Sequence, residues 1–456
     1  TSGSGKGGNI NINASESVEV VGAGFEQLQE NIINPAFDSG EDSLTLENFS
    51  TGIVTASGGS GSSGNILIQT PNYKASNGGL IATTTLDTGA GGDIEVNADN
   101  ILEVDNSLLV TGTFTDKDSG DIDLSARQLI AIGGAQVLTT TFDAGKAGNL
   151  TVNADSIDLI DPSKQGFTSG LFATSFQRAS GDGGNINVKT GDFNIIDRAA
   201  VSVSGEGAGN AGDINIEAIK LFLDNSSITA RSISGEGGNI NLSIADLLLL
   251  RNNSTISTQA GTESSGGGNG GNITFNGGFI VALPSENSDI NANAFAGNGG
   301  NISITTPGIF GITFRDKLTP QSDITVSSEF GIDGNFNLNL QELNITSGLV
   351  ELPENLTDAA DRISAGCPTD AEARFVISGK GGIPRNPRQT LLNEIVLQDL
   401  RNNSSYSSSP TLPLSPSPTP IKEATGWIVN KDGVVEFVAN NPISRENISL
   451  KNSCRS

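Results

Sequence analysis

Along most of this 456-residue chain, apolar and polar residues alternate in short bursts, and the bursts return at a fixed distance. In 185–204, NINVKTGDFNIIDRAAVSVS, Ile186 and Val188 share one face. Phe193 and Ile195 form a second run, and Val201 and Val203 a third. The stretch 213–234 repeats the plan with Ile214 and Ile216, Leu221 and Leu223, then Ile228. Alternation at period two over short spans predicts strands. Three such runs per unit, joined by Gly, Asn, Asp and Ser corners, predict one coil of a single-stranded parallel β-helix.

The units are marked by a phrase of glycines followed by Asn or Asp, as in GDGGNINVKT at 181–190. Aligned on that residue, the corners are Asn9, Asn65, Asp93, Asp121, Asn149, Asn185, Asp213, Asn239, Asn272, Asn301 and Asn335. Successive gaps are 56, 28, 28, 28, 36, 28, 26, 33, 29 and 34 residues. A recurring period of this size predicts a solenoid of about 28 residues per coil. Longer gaps read as loop insertions. The 56-residue gap holds either an inserted segment around Gln27 to Glu47 or one degenerate repeat. The glycines are expected to supply positive-φ corners. The Asn and Asp side chains are expected to form a ladder from coil to coil. Ile-x-Ile points inward, and Thr and Ser belong on the outward face. Roughly a dozen coils at ~4.8 Å each predict a rod about 55–60 Å long.

Composition narrows the chemistry. The chain has no histidine, which excludes Ser/His/Asp and Cys/His catalysis and His-ligated metals. A net charge of −26 repels phosphate backbones, so no nucleic-acid partner is expected. No apolar run is long enough to span a bilayer. The absence of methionine reads as an internal or C-terminal piece of a longer protein. Gly59 to Gly64 fits GxGxxG but precedes a strand pattern instead of opening a helix, and Gly379-Lys380 lacks the rest of a phosphate-binding loop. Asp116, Asp118, Asp121 and Asp123 are the best paired carboxylates for polysaccharide cleavage. With 51 acidic residues in the chain, their closeness is expected by chance, and they read as solvated corners. The expectation is therefore no enzyme and no cofactor, with weak calcium binding left open between stacked acidic corners.

The repeat fades after Leu352. Residues 1–352 read as β-helix, 353–401 as a C-terminal cap region, 402–424 as a Pro/Ser-rich linker and 425–456 as a hairpin segment. Within the cap region, 389–401 fits an amphipathic helix or a strand. The hairpin pairs Gly426 to Val429 with Val434 to Ala439, and Trp427 is read as a packing residue. Cys367 and Cys454 are expected to pair as a structural disulfide if the protein is secreted. The insertions at 26–48, 161–175 and 261–270 are the expected contact loops.

These residues resemble a known family. The GGNIxI repeats are similar to those of filamentous-haemagglutinin-type exoproteins of two-partner secretion. Cys367, the run Phe375 to Gly382, Ile383 to Pro387, Asp399-Leu400-Arg401, Gly426-Trp427 and Val434 resemble the C-terminus of the cyanobacterial S-layer or haemagglutination-domain members. The resemblance implies a right-handed β-helix, export through an outer-membrane partner channel by an N-terminal domain not contained here, and adhesion at the outer cell surface to a cell-surface or glycan receptor. The alternative is a carbohydrate-active or carbohydrate-binding β-helix acting on extracellular polysaccharide. Only two tyrosines and one tryptophan are present to line a sugar-binding strip.

Overall fold

Ile66, Ile94, Ile122, Leu150, Ile186, Ile214, Ile240, Ile273 and Ile302 lie one above another as direct partners of successive parallel strands, all buried. These described coils form a parallel β-helix. The computed structural model describes residues 3–28 and 52–341, with the backbone of Gly426–Val429 and Val435–Val438. It divides into two units, Thr1–Leu352 and Pro353–Ser456. In the second, Gly426–Val429 pairs antiparallel with Val435–Val438, Trp427 opposite Phe437. The cap region, the linker and both cysteines lie outside the described residues.

Two sheets wind up the first unit. One has 14 strands and the other 11, and every pairing between named strands in them is parallel. The three runs of each unit are present. The first two usually merge into one long strand, as in Ile94–Asp105 and Ile214–Asp224. The join is marked by a register shift, for example between Ala218 and Lys220. In the coil that opened the sequence reading they stay apart, as Ile186–Lys189 and Asp192–Ile196. The third run is a six-residue strand in the smaller sheet, such as Leu108–Thr113. Ile186, Val188, Phe193, Ile195, Val201, Val203, Ile214, Ile216, Leu221, Leu223 and Ile228 all lie in the larger of two core clusters among the described residues. Eleven rungs of the larger sheet, at ~4.8 Å each, span about 48 Å from first to last.

Ile10 pairs directly with Ile66, so no coil intervenes in the 56-residue gap. The extra residues are an insertion that leaves after Ser17–Val21 and returns at Ile53–Ser57. The insertion near 161 is shorter than the sequence suggested. It ends before Gly170, because Gly170–Ser175 is a regular strand paired on both sides.

The glycines do a different job from the one expected. At the repeat phrase, Gly64, Gly92, Gly120, Gly148, Gly184, Gly212, Gly238, Gly271, Gly300 and Gly334 are all absent from the residues with positive φ. They stack instead. A Cβ on any of them would fall within 3.0 Å of the carbonyl oxygen of the glycine one coil below. Close backbone approach, not turn conformation, excludes side chains here. Positive φ occurs at another corner, where Gly133 (67°) supplies it in one coil and Asn or Asp in others: Asn77 (52°), Asn106 (48°), Asp161 (56°), Asp197 (52°), Asn225 (49°) and Asn252 (49°). Their short polar side chains tolerate the left-handed region that β-branched residues avoid.

Threonine also departs from expectation. Thr83, Thr111 and Thr139 face inward and are fully buried. Each hydroxyl donates to a stacked glycine carbonyl: Thr83 to Gly92, Thr111 to Gly120 at 2.6 Å and Thr139 to Gly148 at 2.5 Å. The hydroxyl is affordable inside because the glycine edge leaves an acceptor within reach.

Among the described residues four buried side-chain polar atoms have no such outlet, on Tyr73, Ser119, Thr140 and Asn287, and Tyr73 is the largest of these side chains. Tyr73 sits in the core between its register partners Val18 and Leu102, and its hydroxyl has no hydrogen-bond partner. Burial pushes its pKa far above the ordinary phenol value. Tyr73→Phe should therefore raise stability by about 1 kcal/mol, the cost of an unpaired buried hydroxyl. A denaturant midpoint that rises at unchanged slope is the expected result. A lower midpoint would show that the hydroxyl is bonded.

Candidate functional site: the Asx edge

The eleven Asn and Asp corners form one uninterrupted ladder. In each of ten steps the backbone N–H of one corner donates to the Oδ1 of the corner below. The distances, from Asn65 on Asn9 to Asn335 on Asn301, run from 2.6 to 3.2 Å. Each Asn side chain above Asp121 adds a second bond from its Nδ2 to the same oxygen, as in Asn185 to Asn149 at 3.0 Å and Asn239 to Asp213 at 3.0 Å. The corner strands place these groups because the glycine stack beneath holds adjacent coils at hydrogen-bonding distance.

Three residues upstream runs a second ladder that the sequence reading missed. Asp118 accepts from the Lys146 N–H at 2.9 Å, Asp182 from Asn210 at 3.0 Å and Asn210 from Glu236 at 2.8 Å. Glu236 accepts from Asn269 at 2.9 Å, Asn269 from Asn298 at 2.8 Å and Asn298 from Ile332 at 3.1 Å. The Lys146 ammonium bridges the remaining step to Asp182 at 3.3 Å. Asp, Lys, Asn and Glu share this row, so no single letter repeats. The signal was the 28-residue register itself, applied three positions earlier.

Between the two ladders runs a groove of about 610 Å³ floored by Ala147, Gly148, Gly183 and Gly184. Its Asn members spend their amides on the ladder. Of its Asp members, Asp118, Asp121 and Asp213 accept ladder bonds through one carboxylate oxygen, and Asp182 uses both, the second on Lys146. The four carboxylates singled out from sequence separate in space and task. Asp118 and Asp121 each belong to a ladder. Asp116 lies on the surface, 3.1 Å from Lys117. Asp123 faces outward in the strand Ile122–Ile132, beneath Thr151. Burial, then the charges of Asp121, Glu95 and Asp93, push its carboxyl above the ordinary range against an opposing bond from Thr151. Among the described residues no group of three or more His, Cys, Asp or Glu side chains is arranged to hold a metal ion. No helix among them is long and apolar enough to cross a membrane. No family model, curated protein or solved structure matches this chain.

The acidic surface sets a pH dependence. Burial raises the carboxyls of Asp123, Glu206 and Asp289, and burial with Asp161 and Asp224 raises Asp197. A folded-state value above the unfolded one stabilises the fold fully below the unfolded value, and that stabilisation is lost as pH rises through the folded value. Glu286 opposes this. Its hydrogen bond from Arg251 lowers its carboxyl, so its contribution is lost as pH falls. With four of these groups raised and one lowered, the melting temperature should rise on acidification from about pH 7 into the ordinary carboxyl range near about pH 4, where the raised groups take up their protons. Asp123→Asn should flatten that slope. A melting temperature that falls steadily over this range would contradict the assignment.

Proposed function

We propose that this chain is the structural and adhesive stalk of a secreted or cell-surface exoprotein of the filamentous-haemagglutinin type. The observation that carries the reading is the unbroken Asx ladder over eleven coils, locked to a stack of glycines with no room for side chains. Such an edge resists bending and local opening, because every coil is bonded to both neighbours by side chain as well as by strand. The resemblance of the tail motifs adds export through an outer-membrane channel and a receptor at another surface. A stalk works by stiffness and by the loops it presents, and it needs no reacting group.

The test uses the full chain. Beads coated with it should be retained under flow on polysaccharide-coated and cell-coated glass. The coils 52–341 should survive a protease that cuts an unfolded control. Retention no better than that of an inert protein would sink the adhesive reading. The carbohydrate-active alternative rests on Asp123, a raised carboxyl beside other carboxylates. It gains only if acidic polysaccharides release reducing ends and Asp123→Asn abolishes that release.

A further inference from the structure

Two insertions leave the solenoid at the same corner, four rungs apart on the larger sheet. One begins after Ser17–Val21 in the first coil, with the short helix Phe25–Leu28, and the other spans 161–169, between Leu150–Ile160 and Gly170–Ser175. They meet: the rings of Phe25 and Phe167 pack edge to face, centroids 5.3 Å apart. The second loop is rigid, with Ser163 bonding Phe167 by both its N–H and its hydroxyl, at 2.7 and 3.0 Å. Between them lies a cleft of about 640 Å³, floored by the corner residues Asn77, Asn106 and Gly133 of three successive coils. That volume falls inside the roughly 300–1,000 Å³ of small-ligand sites.

The polar groups of this cleft differ from those of the Asx edge. There, nearly every polar side chain is spent on a ladder. Here Glu26, Asp105, Asn106, Lys164 and Gln165 line the space, and none has a side-chain hydrogen bond or ion pair among the described residues. Two amides that both donate and accept, carboxylates and one ammonium match the alternating donors and acceptors of sugar hydroxyls. Glu26, Asp105 and Asp161 outnumber Lys164, so the cleft favours a cationic ligand and repels uronates. We infer that the cleft is a binding site for a short amino-sugar oligosaccharide, its ammonium groups held by Asp105 and Glu26 and its hydroxyls by Asn106 and Gln165. The inference rests on the adhesive reading and places its receptor contact on the side of the rod.

Calorimetric titration of the full chain with a β-1,4-glucosamine trisaccharide tests it, with the N-acetylated trisaccharide and spermidine as comparisons. The glucosamine trimer should bind at least about tenfold more tightly than either. Asp105→Asn and Gln165→Ala should each weaken it about tenfold or more without lowering the melting temperature. No binding of the trimer, equal binding by the variants, or spermidine binding as tightly would overturn the inference. Bead retention separates it from the proposed function. If Asp105→Asn beads are retained as well as wild type, the cleft assignment fails and the stalk reading stands. If wild-type beads are not retained, the stalk reading fails.

Discussion

Gly148→Ala should break the solenoid at one coil. A methyl at Gly148 would overlap the Gly120 carbonyl oxygen and crowd the Asp121 nitrogen, and all of these obstructing atoms are backbone. No rotamer change relieves such a clash. The coils must separate, which strains the strand pairing of Ile122–Ile132 with Leu150–Ile160 and the Asp121–Asn149 step of the ladder. Over-packing alone costs about 1–3 kcal/mol, and an unyielding neighbour puts this substitution at or above the upper end. In a repeat array the damage stays local. Hydrogen exchange should therefore speed up at Ile122, Leu124, Leu150 and Val152 and remain slow at Ile240 and Ile273. Gly8→Ala is the control. Gly8 occupies the same place in the phrase, but nothing lies within 4 Å of its added Cβ. If Gly148→Ala and Gly8→Ala behave alike, the stacking account is wrong.

Arg315→Met should be the second large loss. The smaller sheet ends with the short strand Thr313–Phe314, which pairs parallel with Asp323 and Ile324 of the strand Asp323–Thr325 and covers that rung. Arg315 pins the cover. Its guanidinium binds the fully buried Asp323 carboxylate, the Ser322 carbonyl at 3.2 Å and the Gln321 side chain at 2.6 Å. The Thr319 N–H also donates to Asp323, and Phe314 stacks on Phe336 at 4.8 Å. Removing the cation leaves a carboxylate buried without its partner, at a cost of about 3–5 kcal/mol. The exposed rung would then be free to pair with other chains. The expected outcome is a lower unfolding midpoint together with concentration-dependent association. Adding Asp323→Asn should recover part of the loss, because no charge is then stranded. A double variant as unstable as the sum of both single variants would show that the two side chains are not coupled.

How far the fold was legible varies from element to element. The period of 28 and the alternation around Ile186, Phe193 and Val201 named the architecture, because each inward position must meet the same position one coil away. The Asn and Asp corners were legible for the same reason, since a side chain that serves the coil above must recur in register. The second ladder was not, because its rule is geometric: any side chain with an acceptor near the next N–H suffices, and Asp182, Asn210 and Glu236 all qualify. The inward threonines were misread because alternation reports which face a residue shares, not whether a bare carbonyl waits there.

What the amino-acid order determined by itself is the coil, its period and its stacked positions, since local alternation and recurrence are properties of the chain alone. Only the tertiary structure decided why glycine is required at the repeat phrase, which corner takes positive φ, and which insertions meet. Those outcomes depend on distances between residues 28 or more positions apart, where backbone from one coil presses on the next and loops four rungs apart touch through Phe25 and Phe167.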